Sequence, residues 1–160
     1  MTEQDGDPAA LKKRIAQLKA VSRMYRALFD AAEAAIMILE GGRFVGCNPK
    51  TLEMLACSRE QFLSSTPFDF SPTHQPDGSE SAELGGARIQ AALGGEPQTF
   101  DWVHQRADGS LFDAEVNLTR VKAGGRTLVQ ATIRDVTQER RAQASLAESE
   151  NRLKLVLDTI

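Results

Sequence analysis

The cysteines and histidines of this 160-residue chain are few: Cys47, Cys57, His74 and His104. A tetrahedral metal site asks for such residues in close pairs, two to five positions apart. Here they are scattered singly along the chain, so no metal cluster is expected. Both cysteines sit in apolar or strand-like surroundings, and a chain of this length needs no disulfide to be stable. They are read as buried free thiols. Carboxylates are plentiful, yet none has neighbours that suggest acid–base work. Gly85-Gly86 and Gly94-Gly95 are not followed by the Gly-Lys-Ser/Thr of a phosphate-binding loop. A serine elbow, a His-Glu-x-x-His pair and a kinase signature are also missing. The chain is therefore expected to be non-catalytic.

What remains to be positioned is aromatic and apolar, and the elements that carry it can be read from period and punctuation. Asp7-Pro8 is an N-cap followed by a first-turn proline. Leu11, Ile15, Leu18, Ser22, Tyr25 and Phe29 then recur in alternating steps of four and three, the seam of a coiled coil. Pairing with another chain and a single amphipathic helix on its own core both fit this seam. The period then changes. Ala35 to Leu39 is a continuous apolar run, read as a strand buried on both faces. Glu40-Gly41-Gly42-Arg43 is a tight hairpin turn leading into a strand from Phe44 to Cys47. Asn48-Pro49 caps a helix through Ala56, Ser58-x-x-Gln61 is a capping box, and Asp77-x-x-Glu80 is read as the start of a helix to about Leu93. Ser64 to Ser79 reads as a polar loop.

Three strands follow. Thr99 to Arg106 places Phe100, Trp102, His104 and Arg106 on one face, and Asp108-Gly109 turns the chain. Leu111 to Val121 aligns Phe112, Ala114, Val116 and Leu118; Thr127 to Asp135 aligns Val129, Ala131 and Ile133. From Thr137 the period is helical again, with Leu146, Leu153 and Ile160 seven apart. That helix is sparse in large apolar residues before Leu153, so its pairing is expected to be weak or conditional. The order strand–strand–helices–strand–strand–strand specifies an α+β domain with a five-stranded antiparallel sheet and helices on one face, flanked by amphipathic helices at both ends. The expected boundaries are an arm over 1–24, the domain over 25–137 and a linker helix over 138–160.

Charge narrows the partners. The net formal charge of −3 divides into about +2 for residues 1–30, about −5 for 31–137 and zero for 138–160. No segment has the basic excess that nucleic acid requires. No apolar run approaches the roughly 20 residues that span a bilayer. Met1 to Pro8 is acidic and polar, the opposite of a secretory signal, so a cytoplasmic location is expected. The chain stops at Ile160 without a helix-ending signal, which raises the expectation of a longer parent protein.

Three stretches, in this order, carry a resemblance to the PAS family. Gly42 to Pro49 is similar to that family's second strand and the Asn that opens the next helix. Phe100 to Ser110 is close to its strand and Asp-Gly hairpin. Arg134-Asp135-Val136-Thr137-Gln138-Glu139-Arg140-Arg141 resembles the aspartate–aliphatic–threonine signature that ends the last strand, with the charged start of a signalling helix behind it. Glu150 to Ile160 is similar to the lead-in of a further PAS domain, and to Tyr25–Ala32 of this chain.

The resemblance implies a sensory or regulatory module that passes a signal to a downstream output domain, a histidine kinase or a diguanylate cyclase or phosphodiesterase. It also implies a small ligand between sheet and helices. By strand face and helix position, Cys47, Met54, Phe62, Ile89, Phe100, Trp102, Val116, Leu118 and Val129 would line that space; a dry, filled core is the open alternative. A buried Trp102 needs a partner for its N–H. His104 reads most simply as a hydrogen-bonded or surface strand residue. The ligand itself is unknown. Pro67 stands where flavin-binding relatives carry a reactive cysteine, which argues against covalent flavin photochemistry. Ser79–Leu93 lacks the histidine of haem-binding relatives, which argues against haem unless His74 or His104 serves in an unusual arrangement.

Signal transmission is assigned to Arg106, Asp135 and Thr137: Asp135 would pair with Arg106 while Thr137 caps the following helix. A plain helix cap is the open alternative. The expected partners are a second copy of the chain, through the N-terminal helix and the sheet, and the downstream domain. The alternative function is a ligand-free PAS dimerisation or protein-interaction module.

Overall fold

A computed structural model describes residues 6–160. The first five residues, and with them part of the expected 1–24 arm, lie outside the described residues. The chain divides into two compact units, at Glu33 and Ala34.

The first unit is one helix, α1 (Pro8–Ala31). The Asp7 carboxylate accepts the Ala9 N–H at 3.1 Å, satisfying one of the donors left open at a helix start. No residue of α1 is buried, and Leu11, Ile15, Leu18, Val21, Met24, Tyr25 and Leu28 are all exposed. The helix passes the expected 24/25 boundary unbroken and stops where Ala32 turns to extended backbone.

The second unit contains β1 (Ala35–Glu40), β2 (Arg43–Cys47), α2 (Pro49–Leu55), α3 (Arg59–Leu63), a 3-10 turn (Pro67–Phe70), α4 (Ser81–Leu93), β3 (Gln98–Gln105), β4 (Leu111–Ala123), β5 (Arg126–Asp135) and α5 (Thr137–Thr159). The strands form one antiparallel sheet in the order β2-β1-β5-β4-β3. Gly41 and Gly42, both at positive φ, make the tight β1–β2 turn that a Cβ would strain. The core lies on the single sheet face covered by α2, α3, the 3-10 turn and α4.

Three expectations are corrected. The apolar run of β1 buries Ala35, Met37 and Leu39, but Ile36 and Ile38 on the other face are only half-buried. β1 is an interior strand of a sheet covered on one side, and its register sets only alternate residues inward. Asp77 does not cap α4; its carboxylate closes a local turn onto the Ser79 N–H, and Glu80 holds the cap position without a side-chain bond. The stretch from Ser64 to Ser79 is more structured than a polar loop: it holds the 3-10 turn with buried Phe70 and a bridge between His74 and Glu80.

At the start of the unit, Asn48 is completely buried, and both ends of its side-chain amide are bonded. Its Oδ1 accepts the N–H groups of Ile36 (2.9 Å) and Thr51 (3.2 Å), and its Nδ2 donates to the Ala34 carbonyl at 2.9 Å. One side chain thus caps α2 and holds the first residues of β1 beside it.

Candidate functional site

A cavity of about 70 Å³ lies between the sheet and the helices. Its walls come from β1 (Met37, Leu39), β2 (Phe44), α2 (Leu55), the 3-10 turn and the residue after it (Pro67, Phe68, Phe70, Ser71) and α4 (Gly85, Ile89). The sheet supplies the rest, from β3 (Phe100, Trp102, His104), β4 (Val116, Leu118) and β5 (Ala131, Ile133). The most exposed lining residue is Phe68. Gly85 sets the depth on the helix side, because a Cβ there would stand 3.3 Å from the Phe68 ring and 3.4 Å from Trp102.

Of the nine residues assigned from sequence to the ligand space, Ile89, Phe100, Trp102, Val116 and Leu118 line this cavity, and Cys47, Met54, Phe62 and Val129 do not. Those four belong to the packed core beside it. The Phe62 ring stacks on Phe44 with centroids 4.2 Å apart and so sits behind the wall. The Cys47 carbonyl accepts from Arg59 at 3.1 Å, and burial pushes the Cys47 and Cys57 thiols up from their ordinary pKa, leaving them weak nucleophiles. Strand alternation told which residues face inward, but not how far helices stand off from the sheet.

Polar groups at the cavity are few. The Trp102 indole N–H finds its partner in the Ser71 hydroxyl at 3.0 Å. Gln75 stands behind β3, an edge strand: its Oε1 accepts the Val103 N–H at 2.8 Å and its Nε2 donates to the Val103 carbonyl at 3.1 Å. That amide acts as one residue of a missing strand. Neither Ser71 nor Gln75 was signalled by sequence, since both lie in the stretch read as a loop.

Of the two simple readings of His104, the hydrogen-bonded one holds, and the residue is buried instead of lying at the surface. Its Nδ1 is 3.2 Å from the Phe70 carbonyl oxygen, which can only accept, so Nδ1 carries the proton. Burial pushes the imidazole pKa down to about 4, against a smaller upward pull from the Phe70 carbonyl. The ring is neutral at pH 7. Its Nε2 is buried and, among the described residues, without a hydrogen-bond partner.

Behind the cavity, contacts continue toward α5. The His104 ring stacks on Phe112 (5.3 Å, 23°), and the Arg106 guanidinium lies over the other ring's centroid at 4.4 Å. Arg106 Nη2 is 3.3 Å from Asp135 Oδ2, and Arg106 Nε donates to the Met54 carbonyl at 3.0 Å. The expected pair of Asp135 and Arg106 is present, but Thr137 does not cap the helix. Val136 holds the cap position without a side-chain bond, and Asp135 Oδ1 accepts the N–H of Thr137, the first helical residue, at 2.9 Å. The Thr137 hydroxyl accepts the Asp113 N–H at 2.9 Å and so ties the helix start to β4. Arg140 on the first turn of α5 reaches Asp101 on β3 at 2.6 Å. From Arg141 to the end, every residue of α5 is exposed.

The family model described as PAS domain matches residues 33–138. No curated protein matches. Among solved structures, the PAS domain of an HTR-like protein from Haloarcula marismortui is 24% identical, with a TM-score of 0.62, covering 78% of this chain and 98% of that one. A domain of the sensory box sensor histidine kinase/response regulator from Geobacter sulfurreducens is 23% identical, with a TM-score of 0.62, covering 74% and 96%. The PAS domain of a LuxR-family transcriptional regulator from Burkholderia thailandensis, in complex with ethanol, is 19% identical, with a TM-score of 0.55, covering 70% and 96%. At these identities the likeness establishes a common fold.

Proposed function

The chain belongs to the PAS-domain family, and from that premise we propose that it is a sensory module that binds a small molecule in the cavity between sheet and helices and passes the event to α5. The observation that carries this reading is the unbroken run of contacts from the cavity to the helix start. His104 lines the cavity and stacks on Phe112; Arg106 covers Phe112 and pairs with Asp135; Asp135 accepts the Thr137 N–H. A ligand that displaces His104 or Phe112 therefore acts on the group that fixes where α5 begins. The bistable element is the first turn of α5, held by Asp135, Thr137 and Arg140 and free of burial beyond it. The solved PAS domain that holds ethanol supports a small-molecule occupant, and the sensor-kinase relative supports an output domain downstream of Ile160, a histidine kinase or a cyclase or phosphodiesterase. A cytoplasmic setting belongs to the same proposal.

A second reading is favoured by α1, whose seam residues Leu11, Ile15, Leu18 and Tyr25 are exposed, as are Val21, Met24 and Leu28, which widen the stripe. On that reading the chain pairs with a second copy through α1 and the sheet, and aligns helices without any ligand. Native mass spectrometry of freshly purified protein separates the two. A stoichiometric small molecule that leaves on denaturation supports the sensor; a dimer with no small molecule supports the alignment module. For the route itself, amide exchange at Thr137–Arg141 should respond to cavity occupancy in the unchanged protein and cease to respond in Arg106→Gln. An unchanged response in that variant removes Arg106 and Asp135 from the route.

A further inference from the structure

From the chemistry of its wall we infer that the cavity takes an uncharged, hydrocarbon-like molecule of only a few heavy atoms, held by its carbon surface and given no hydrogen bond by the protein. The inference rests on the ligand-binding reading above and names the class of ligand.

The lining contains no formally charged side chain, since His104 is neutral at pH 7. A charged ligand would lose its hydration there with nothing to replace it. Three lining side chains carry polar hydrogens, those of Ser71, Trp102 and His104, and each hydrogen is already spent. The Trp102 indole N–H donates to the Ser71 hydroxyl at 3.0 Å. The Ser71 hydroxyl donates in turn to the Pro67 carbonyl at 3.3 Å. The His104 Nδ1–H goes to the Phe70 carbonyl at 3.2 Å, and a neutral imidazole has no second N–H. The side-chain polar positions left over are lone pairs, on the Ser71 oxygen and on His104 Nε2, and the latter has almost no accessible surface. The rest of the wall is carbon, from aromatic rings and from residues such as Met37, Leu39, Ile89, Val116 and Ile133.

A ketone, an ether or a carboxylate must receive a hydrogen bond in exchange for the water it gives up, and these side chains have none to give. Water is a poor occupant for a similar reason, since a buried water needs about two to four polar partners. Apolar surface, by contrast, gains from leaving water in proportion to the area covered. Size narrows the class further. An apolar cavity of about 150 Å³ takes benzene or xenon, so one of about 70 Å³ takes a molecule of only a few heavy atoms.

The test titrates the whole 160-residue chain, carrying ¹³C-labelled methyl groups, with two probes of equal size and shape, 2-methylpropene and acetone. They differ only in a methylene group that stands in place of the carbonyl oxygen. 2-Methylpropene should bind about tenfold more tightly or better, because acetone leaves its oxygen buried without a donor. The hydrocarbon should move the methyl resonances of Met37, Leu39, Ile89, Val116 and Ile133 and leave those of Leu11 and Leu18 on α1 where they are. Acetone binding as tightly as the hydrocarbon, or the hydrocarbon moving only methyl groups outside the wall, overturns the inference and leaves the ligand-binding reading standing. A co-purified charged molecule that shifts the same wall resonances does the same. Failure of both probes to bind overturns the inference as well; if native mass spectrometry then also finds no co-purified molecule, the ligand-binding reading falls with it.

Discussion

Two buried polar side chains in the second unit, Asn48 and His104, face opposite fates. Asn48 sits at the junction of β1 and α2 with both ends of its amide bonded to backbone. His104 sits on β3 with one ring nitrogen bonded and the other bare. A well-bonded buried group rigidifies and fixes one arrangement, whereas a half-satisfied one costs stability. The β1–β2–α2 half thus pairs both ends of its buried amide, while the half formed by β3, the 3-10 turn and α4 carries one ring nitrogen unpaired.

The sharpest way to break this contrast is Asn48→Ala. It strands the Ile36 N–H and the Ala34 carbonyl, while the Thr51 N–H keeps the backbone carbonyl of residue 48 at 3.1 Å, and should cost about 3 kcal/mol, or roughly 10 °C in thermal midpoint. A loss below 1 kcal/mol would mean that the Asn48 bonds do not hold the unit together.

Next in size is a pH effect. The folded pKa of His104, about 4, lies below the value of 6.5 for a free imidazole. The unfolded chain therefore takes up a proton first, so stability is complete above pH 6.5 and drains as pH falls toward 4. Between pH 6.5 and 5 the loss should be about 2 kcal/mol. His104→Phe should flatten that part of the profile, read by denaturant unfolding at each pH. An equally steep fall in the variant assigns the pH dependence to other groups.

Asp135→Ala should cost less, about 1 kcal/mol, because the carboxylate is part-exposed and loses a hydrogen bond to the helix start and an ion pair that water partly replaces. Its signature should be local: faster amide exchange over Thr137–Arg141, with the sheet unaffected. Protection that stays intact there shows that Thr137 and Arg140 hold the helix start without it.

The smallest stability change is expected from Gly85→Ala. The gain in helix propensity, about 1 kcal/mol, is offset by crowding against Phe68 and Trp102. Binding of a small molecule in the cavity should nevertheless fall, since the new methyl group enters the cavity wall. Unchanged binding would place the occupant away from α4.

Much of this was legible in residue order. Alternation along β3, β4 and β5 correctly gave the inward faces, Ser58 and Gln61 gave their capping box, and Gly41-Gly42 gave the hairpin. These are local matters, in which each residue answers to neighbours within four positions. The cavity was only half legible, because lining depends on the gap between layers. That gap is set by Gly85 on α4 and by Phe68 in the 3-10 turn, far apart from the strands in sequence. Asp77 misled for the complementary reason: its carboxylate was captured by a turn two residues away before any helix began.

The sequence by itself determined the succession of strands and helices along the chain, the core face and the segments that became α1 and α5, because hydrophobic period and turn chemistry act at short range. Tertiary structure alone decided that Trp102 meets Ser71 and that the Thr137 hydroxyl is spent on the Asp113 N–H of β4. It also decided that the second nitrogen of His104 is left without a partner. Those outcomes depend on which groups the fold brings within 3 Å across tens of residues, and no periodicity records that distance.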